Sequence, residues 1–257
     1  MAATALDLKP THVAAVSAGS AVACALFAGT FEKGFSGYLR SVAQNERNLY
    51  PKNLLRGCPV FPHANMYRNA ILDSVDAPAL SRLHKGPELK VLIATAPRWA
   101  GLSVAMLLGV VATGLDGDCI HGSMARKMGF KPQHISVRDC STPEELADLI
   151  LASSCVPPLT PKFRRNGVTV LDGGLVDNVP VDGIPTTALE TLVLLTRQFR
   201  SLPSIPGRTY VQPSRPIPAG AWDYTSDSAI QSTFDLGCRD AEYFCLQCQT
   251  LAAGQRA

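Results

Sequence analysis

Charge is scarce in this sequence, and no part of it is strongly basic. Charged residues make up 18% of the 257 residues, and the formal net charge is only +3. The nearest approach to a basic cluster is the pair Arg164 and Arg165, which Asn-Gly follows, as is typical of a turn between strands. Proteins that bind nucleic acid usually carry a strongly basic face. The sequence therefore predicts no nucleic-acid partner.

Long hydrophobic runs are also missing. The strongly apolar residues 102–115 fall short of the ~20 residues that a helix needs to cross a bilayer. They fit a buried or hairpin helix, or a surface helix that enters a lipid interface with Arg98 and Trp99 at headgroup level. Residues 13–28 are apolar too, but the segment before them lacks the net positive charge of a secretory signal, because Asp7 offsets Lys9. Eight scattered cysteines indicate reduced thiols. We therefore predict a cytoplasmic protein. A buried helix is favoured at residues 102–115, and the alternative of a surface helix there predicts peripheral membrane contact.

A serine between small residues follows the first strand-like run. Residues 12–16 are strand-like, residues 20–28 are helix-like, and Ser17 lies between them in the segment Ala-Val-Ser-Ala-Gly. A nucleophile elbow has this layout, because its sharp turn exposes the hydroxyl and needs small neighbours. The amide of Ala18, with Gly19 beside it, would then face a developing oxyanion. Ser17 is thus a candidate nucleophile.

A second segment ends a strand-like run in a carboxylate. Residues 168–171 are followed by Asp172, Gly173 and Gly174, so a carboxylate at a strand end precedes flexible backbone. Such a carboxylate can act as a base toward a serine. Taken alone, Ser17 is equally well a small packing residue and Asp172 a turn former. Together, in this order, they predict a serine hydrolase.

Histidine is absent where the usual triad would need it. An α/β-hydrolase runs Ser, then Asp or Glu, then His, but His134 is the last histidine of the chain. A triad in that order with Asp172 is excluded. A site in which Asp172 itself is the base fits better. An esterase triad built on an earlier acid is the least favoured alternative.

Three segments carry a resemblance to a known family. The elbow at 15–19, the stretch 152–158 (Ala-Ser-Ser-Cys-Val-Pro-Pro) and the stretch 171–180 (Leu-Asp-Gly-Gly-Leu-Val-Asp-Asn-Val-Pro) resemble the patatin-like phospholipase family. The resemblance runs from roughly residue 10 to residue 183. It implies hydrolysis of lipid acyl esters by a Ser–Asp dyad, with Ser17 as nucleophile and Asp172 as general base. It also implies that no metal or organic cofactor is needed.

The chain departs from the family pattern at two places. Ala15 replaces the first glycine of the G-x-S-x-G elbow, and we expect one added methyl group to be tolerated. The family's glycine-rich oxyanion loop has no counterpart, because no glycine precedes Gly19. Residues 2–8 are expected to be the last turns of the helix after that loop, so the domain is expected to be N-terminally incomplete. Losing one oxyanion donor typically costs about 10²- to 10³-fold in turnover.

Alternating strand-like and helix-like runs predict the architecture. We expect one α/β domain over residues 1–257, with a mostly parallel central sheet and helices on both faces, a three-layer sandwich. A Pro-rich loop is expected at 203–218 and a helical segment at 226–251. The predicted function is a lipid acyl ester hydrolase, similar to phospholipase A or lysophospholipase. The alternative is a truncated, weak or inactive relative that binds lipid or a partner protein.

Overall fold

The computed structural model alternates strands and helices, and it describes residues 8–56, 60–117, 119–122, 124–157, 159–188 and 190–254. Its strands are β1 (His12–Val16), β2 (Glu88–Thr95), β3 (Lys131–Ser136), β4 (Phe163–Arg165), β5 (Val168–Asp172), β6 (Thr191–Leu194) and β7 (Arg208–Val211). Its α-helices are α1 (Ala18–Phe27), α2 (Phe31–Ala43), α3 (His63–Ser74), α4 (Ala77–Lys85), α5 (Leu102–Asp116), α6 (Met124–Lys127), α7 (Pro143–Ser153) and α8 (Asp227–Gly254). The α/β class is confirmed.

Local sequence signals explain several element ends. The Thr142 hydroxyl accepts a hydrogen bond from the Glu145 amide at 3.2 Å, and Pro143 occupies the first turn of α7. The Glu145 carboxylate in turn accepts from the Ser141 amide, so α7 starts with side chains that satisfy free backbone donors. At the other end of the chain, α8 spans Asp227–Gly254, where the sequence predicts a helical segment over 226–251.

Strand β2 lies at the centre of the hydrophobic core. Its residues Leu89, Val91 and Ile93 pack with buried side chains of α1, α3, α4 and α7. Its residues Leu92 and Ala94 belong to a second cluster with buried side chains of α5 and α6. Successive side chains of a strand point to opposite faces. Helices therefore pack on both sides of β2.

The prediction of a mostly parallel sheet is wrong for the described strands. In the main sheet β1 pairs with β2 in parallel, whereas β2–β3, β2–β5 and β4–β5 are antiparallel. Strands β4 and β5 form a hairpin through Asn166 (φ 50°) and Gly167 (φ 75°), the positive-φ pair that a tight type I′ turn needs. The segment between β2 and β3 is long enough to return the chain in either direction. Alternation of helices and strands therefore did not determine strand direction.

The strand register brings two strand ends together. Residues 90–92 of β2 pair with both β1 and β3, so these two strands lie on opposite edges of β2. The next residues of β2 pair with both β3 and β5, so β5 lies on the same edge as β1. Val16 pairs with Leu92, and Asp172 pairs with Ile93. The carboxyl ends of β1 and β5 therefore meet end to end.

A smaller sheet lies outside the main one. Strands β6 and β7 pair in parallel, with Thr191 opposite Arg208. The Pro-rich loop predicted at 203–218 is therefore partly wrong, because the proline-free residues between Pro206 and Pro213 form β7. The helix end predicted at residues 2–8 falls, apart from Leu8, outside the described residues.

Candidate active site

Ser17 stands at the turn between β1 and α1 in a conformation that few side chains adopt. Its φ is 50° and its ψ is −131°. A non-glycine residue held there costs on the order of 1–3 kcal/mol and persists only where its surroundings enforce it. A nucleophile elbow is a strained strand-to-helix turn of this kind. The turn predicted at Ser17 is thus present in the structure.

Buried Ser153, the last residue of α7, fixes the backbone of Ser17. The Ser17 amide donates a hydrogen bond to Ser153 Oγ at 2.8 Å, and Ser153 Oγ donates in turn to the Leu92 carbonyl at 2.7 Å. Ser153 has no exposed surface. Its hydroxyl therefore ties the turn to the centre of the sheet. No role for Ser153 follows from the sequence, where only its place in residues 152–158 distinguishes it.

Ser17 and Asp172 are in direct contact, although 155 positions separate them. Ser17 Oγ donates a hydrogen bond to Asp172 Oδ2 at 2.8 Å. The other carboxylate oxygen, Oδ1, accepts from the Gly174 amide at 2.7 Å. The Asp172 amide donates to the Cys155 carbonyl at 2.8 Å. The carboxylate is thus fixed on both sides and directed at the serine.

The environment of Asp172 makes it a stronger base than an ordinary aspartate. Burial raises the pKa of Asp172 to about 6, although hydrogen bonds from the Gly174 amide and the Ser17 hydroxyl act in the opposite direction. Protein atoms surround the carboxyl group closely, yet solvent still reaches part of the residue. A carboxylate with a pKa near 6 is ionised at neutral pH and can still take a proton.

The comparison with protein families agrees with this geometry. A family model described as Patatin-like phospholipase matches residues 2–184. This chain belongs to the patatin-like phospholipase family. Lipid acyl hydrolases are the general class to which that family belongs. A search of curated proteins finds no match to the sequence.

Gly173, after the aspartate of this patatin-like chain, leaves no room for a side chain. A Cβ there would overlap the Leu92 carbonyl and come within 2.8 Å of the Val16 side chain. At Gly174, a Cβ would lie 2.7 Å from Asn178 Oδ1 and 3.1 Å from Asp172 Oδ1. These two glycines let the segment pass close to β2 and turn its amide toward the carboxylate.

A buried polar cluster holds the end of this segment. Asp177 is 3% exposed and accepts a hydrogen bond from the Val179 amide at 2.9 Å. Arg126 pairs with Asp177 at 3.3 Å, and His121 Nδ1 lies 3.2 Å from the same carboxylate. The segment that follows Asp172 is therefore tied to α6 and to the residues before it. Asp177 is a site-supporting residue that the sequence marked only as part of the family motif.

The residues that follow Ser17 are less closely packed than a nucleophile elbow leads one to expect. Ala18 and Gly19 are exposed at the start of α1, where the first amides of a helix lack intrahelical acceptors. A Cβ at Gly19 would meet nothing within 4 Å in the described part of the chain, so close packing does not require this glycine. Ala15, which replaces the first elbow glycine, is buried.

The described hydrogen bonds do not place a histidine on Ser17. Within the described residues, Ser17 Oγ has two partners, Asp172 Oδ2 and Ser154 Oγ. Histidines with polar contacts bond elsewhere, at Thr11, the Cys140 carbonyl and Asp177. The triad alternative therefore finds no support here. In the same residues, no three His, Cys, Asp or Glu side chains are grouped as a metal site.

Helix α5 packs over the segment that follows Asp172. Its buried face consists of the small residues Ala105, Gly109 and Ala112, and the Leu175 side chain would lie 3.4 Å from a Cβ at Gly109. Large apolar side chains of α5 point outward instead, at Val104, Leu107, Val110, Val111 and Leu115. Within the described residues, no helix is long and apolar enough to span a membrane.

Proposed function

We propose that this chain is a lipid acyl ester hydrolase, similar to phospholipase A or lysophospholipase, with Ser17 as nucleophile and Asp172 as general base. The observation that carries the proposal is the 2.8 Å hydrogen bond from Ser17 Oγ to Asp172 Oδ2. It is supported by the strained turn at Ser17 and by the family match. A serine becomes a nucleophile when an adjacent base accepts its proton.

The reaction proceeds through an acyl-enzyme. Asp172 Oδ2 takes the proton of Ser17 Oγ as the oxygen attacks the ester carbonyl carbon. The amides of Ala18 and Gly19 and the positive end of α1 stabilise the oxyanion that forms. When the carbon–oxygen bond to the alcohol breaks, the alcohol leaves with the proton from Asp172. The carboxylate then takes a proton from a water molecule, whose oxygen attacks the acyl carbon. The bond from that carbon to Ser17 Oγ breaks as Oγ takes the proton back from Asp172, and the fatty acid is released.

The raised pKa of Asp172 suits both halves of this cycle. A base with a pKa near 6 is ionised at pH 7, so it is ready to accept the serine proton. Once protonated, it is acidic enough to donate that proton to the leaving alcohol. We therefore expect activity to rise with pH through about 6.

Labelling with a fluorophosphonate probe tests the proposal. Wild type, Ser17→Ala and Asp172→Ala are compared, each after circular dichroism shows that it is folded. We expect the wild type alone to be labelled. A folded wild type that stays unlabelled favours the alternative, a weak or inactive patatin-like protein that binds lipid or a partner. Labelling of Asp172→Ala at the wild-type rate would remove Asp172 from the mechanism.

We also propose that residues 102–115 make a peripheral contact with the lipid surface. Leu107 is 64% exposed and Val110 is 69% exposed, although the large apolar residues of a helix in a soluble protein normally face the protein core. Exposed Trp99 precedes the helix, and Lys162 lines a groove with Leu102. Apolar side chains beside aromatic and basic groups are typical of helices that lie in a membrane interface.

A pair of matched double variants tests this contact. Leu107→Glu with Val110→Glu is compared with Tyr243→Glu and Leu246→Glu on α8, which have the same spacing and similar exposures of 65% and 62%. We expect only the α5 variant to lose sedimentation with phosphatidylglycerol vesicles, by about 10-fold or more. Fluorophosphonate labelling in the absence of vesicles stays unchanged. Equal sedimentation of both variants contradicts the proposal. If the wild type forms a dimer and the α5 variant does not, this face contacts a second copy of the chain instead.

A further inference from the structure

A second hydroxyl contacts the proposed nucleophile. Ser154 directly follows α7 and is 5% exposed. Its Oγ lies 3.4 Å from Ser17 Oγ, which is the same oxygen that contacts Asp172. Ser153, its neighbour, holds the backbone of Ser17, whereas Ser154 contacts the reacting side-chain oxygen itself. The two adjacent serines therefore act on different atoms of Ser17.

The direction of the contact follows from the number of protons available. A serine hydroxyl carries one proton and two lone pairs. Ser17 uses its proton at the shorter distance, 2.8 Å, toward the Asp172 carboxylate. The hydrogen bond between the two serines therefore requires the Ser154 proton, donated to a lone pair of Ser17 Oγ. We propose that Ser154 is a positioning residue that donates this hydrogen bond to Ser17 and holds it in line with Asp172.

The Tyr67 hydroxyl of α3 is close to Ser154. It is buried, and no group in the described part of the chain meets it in good hydrogen-bonding geometry. Burial raises the pKa of Tyr67, an effect that the nearby Ser154 hydroxyl partly offsets. Buried hydroxyls seldom remain without a partner, and Ser154 is close enough to become one. We therefore expect the Tyr67 hydroxyl to pair with Ser154 and to hold it in place.

This hydrogen bond gains strength during attack. As Asp172 removes the Ser17 proton, negative charge grows on Oγ, and a hydrogen bond to a charged oxygen is roughly twice as strong as one between neutral groups. Chains of hydrogen bonds also polarise one another, so donation by Ser154 strengthens Ser17 as a donor to Asp172. Removing Ser154 should therefore slow attack and weaken the hydrogen bond that lowers the pKa of Asp172.

The inference rests on the proposed dyad, and kinetics can separate the two. The second-order rate of fluorophosphonate labelling is measured between pH 4.5 and 8.5 for wild type, Ser154→Ala, Ser154→Thr and Tyr67→Phe. We expect Ser154→Ala to react about 3- to 10-fold more slowly, as for the loss of one hydrogen bond. Its pH midpoint should move upward from the wild-type value. Ser154→Thr, which keeps the hydroxyl, should restore the wild-type rate. Tyr67→Phe should lower the rate, but by less than Ser154→Ala does.

A matched buried serine serves as the control. Ser74 is also 5% exposed, and its hydroxyl donates to the Ile71 carbonyl of its own helix. Ser74→Ala should change neither the rate nor the midpoint. Wild-type kinetics in Ser154→Ala, with the wild type labelled, overturn the role of Ser154 and leave the dyad intact. A slower rate with an unmoved midpoint, not restored by threonine, shows a packing effect only and also overturns it. An unlabelled wild type overturns both proposals.

Discussion

Asp172 imposes a stability cost that can be measured. The fold raises its pKa to about 6, whereas an aspartate in an unfolded chain titrates near about 4. Because the folded state binds this proton more tightly, stability falls as pH rises through the window from about 4 to about 6. A pKa difference of this size corresponds to about 3 kcal/mol. Solvent contact with part of the side chain lowers the expected value to about 2 kcal/mol.

Asp172→Asn removes the ionisation and keeps the local hydrogen bonds. Its amide oxygen can accept from the Gly174 amide, and its NH₂ group can donate to Ser17 Oγ. We expect the variant to be about 2 kcal/mol more stable than the wild type at pH 8. At pH 4 this difference in the free energy of unfolding should be smaller by about 2 kcal/mol. The variant should also no longer be labelled by the fluorophosphonate probe. Urea unfolding at pH 4, 6 and 8, followed by circular dichroism, measures the difference.

The control removes a carboxylate of similar charge from the surface. Asp148 on α7 has a side chain that is 60% exposed and lies 3.5 Å from Arg68. Asp148→Asn should change the free energy of unfolding by no more than about 0.5 kcal/mol at any of these pH values. The reasoning is refuted if Asp172→Asn is no more stable than the wild type at pH 8. A stability gain that does not depend on pH refutes it equally.

Four further substitutions test the site, three at its supports and one, Gly19→Ala, as a control. Gly173→Ala should destabilise the protein by about 2 kcal/mol or more through overlap with β2, whereas Gly19→Ala should be neutral or slightly stabilising, as thermal unfolding would report. Ser153→Ala leaves the amide of Ser17 and a buried carbonyl of β2 without their hydroxyl partner, so urea unfolding should show a loss of about 3 kcal/mol. Asp177→Asn removes the carboxylate that pairs with a half-exposed arginine and should cost about 1–2 kcal/mol, with slower probe labelling.

Local patterns predicted the elements that carry the site. The bounds of β1 and β5 agree with the strand-like runs at 12–16 and 168–171, the second with Asp172 added at its end. Apolar β-forming residues end there in a small-residue turn or in glycines. The hydroxyl cap at the start of α7 was equally visible, since capping depends on residues three apart. Ser17 and Asp172 could therefore be located from sequence, and the structure brings them together.

Features that depend on distant contacts could not be predicted. Strand direction in the main sheet is set by pairing with β2, so alternation of elements gave the wrong answer. Helix α5 is apolar all round, and periodicity cannot tell which face is buried. Contact with Leu175 selects the face with Gly109 and leaves the large side chains outside. The role of the Ser153 hydroxyl could not be predicted for the same reason, because its partners lie at the turn after β1 and on β2.

The position of Leu92 in β2 explains why three distant segments form one site. Its backbone pairs with Val16, the residue before the elbow, and its carbonyl accepts the hydrogen bond from Ser153. That carbonyl also lies against Gly173, directly after the proposed base. Each motif thus contacts the same buried peptide of the central strand. The distance between Ser17 and Asp172 is therefore set by strand register, which a rigid, buried strand maintains more tightly than a surface loop could.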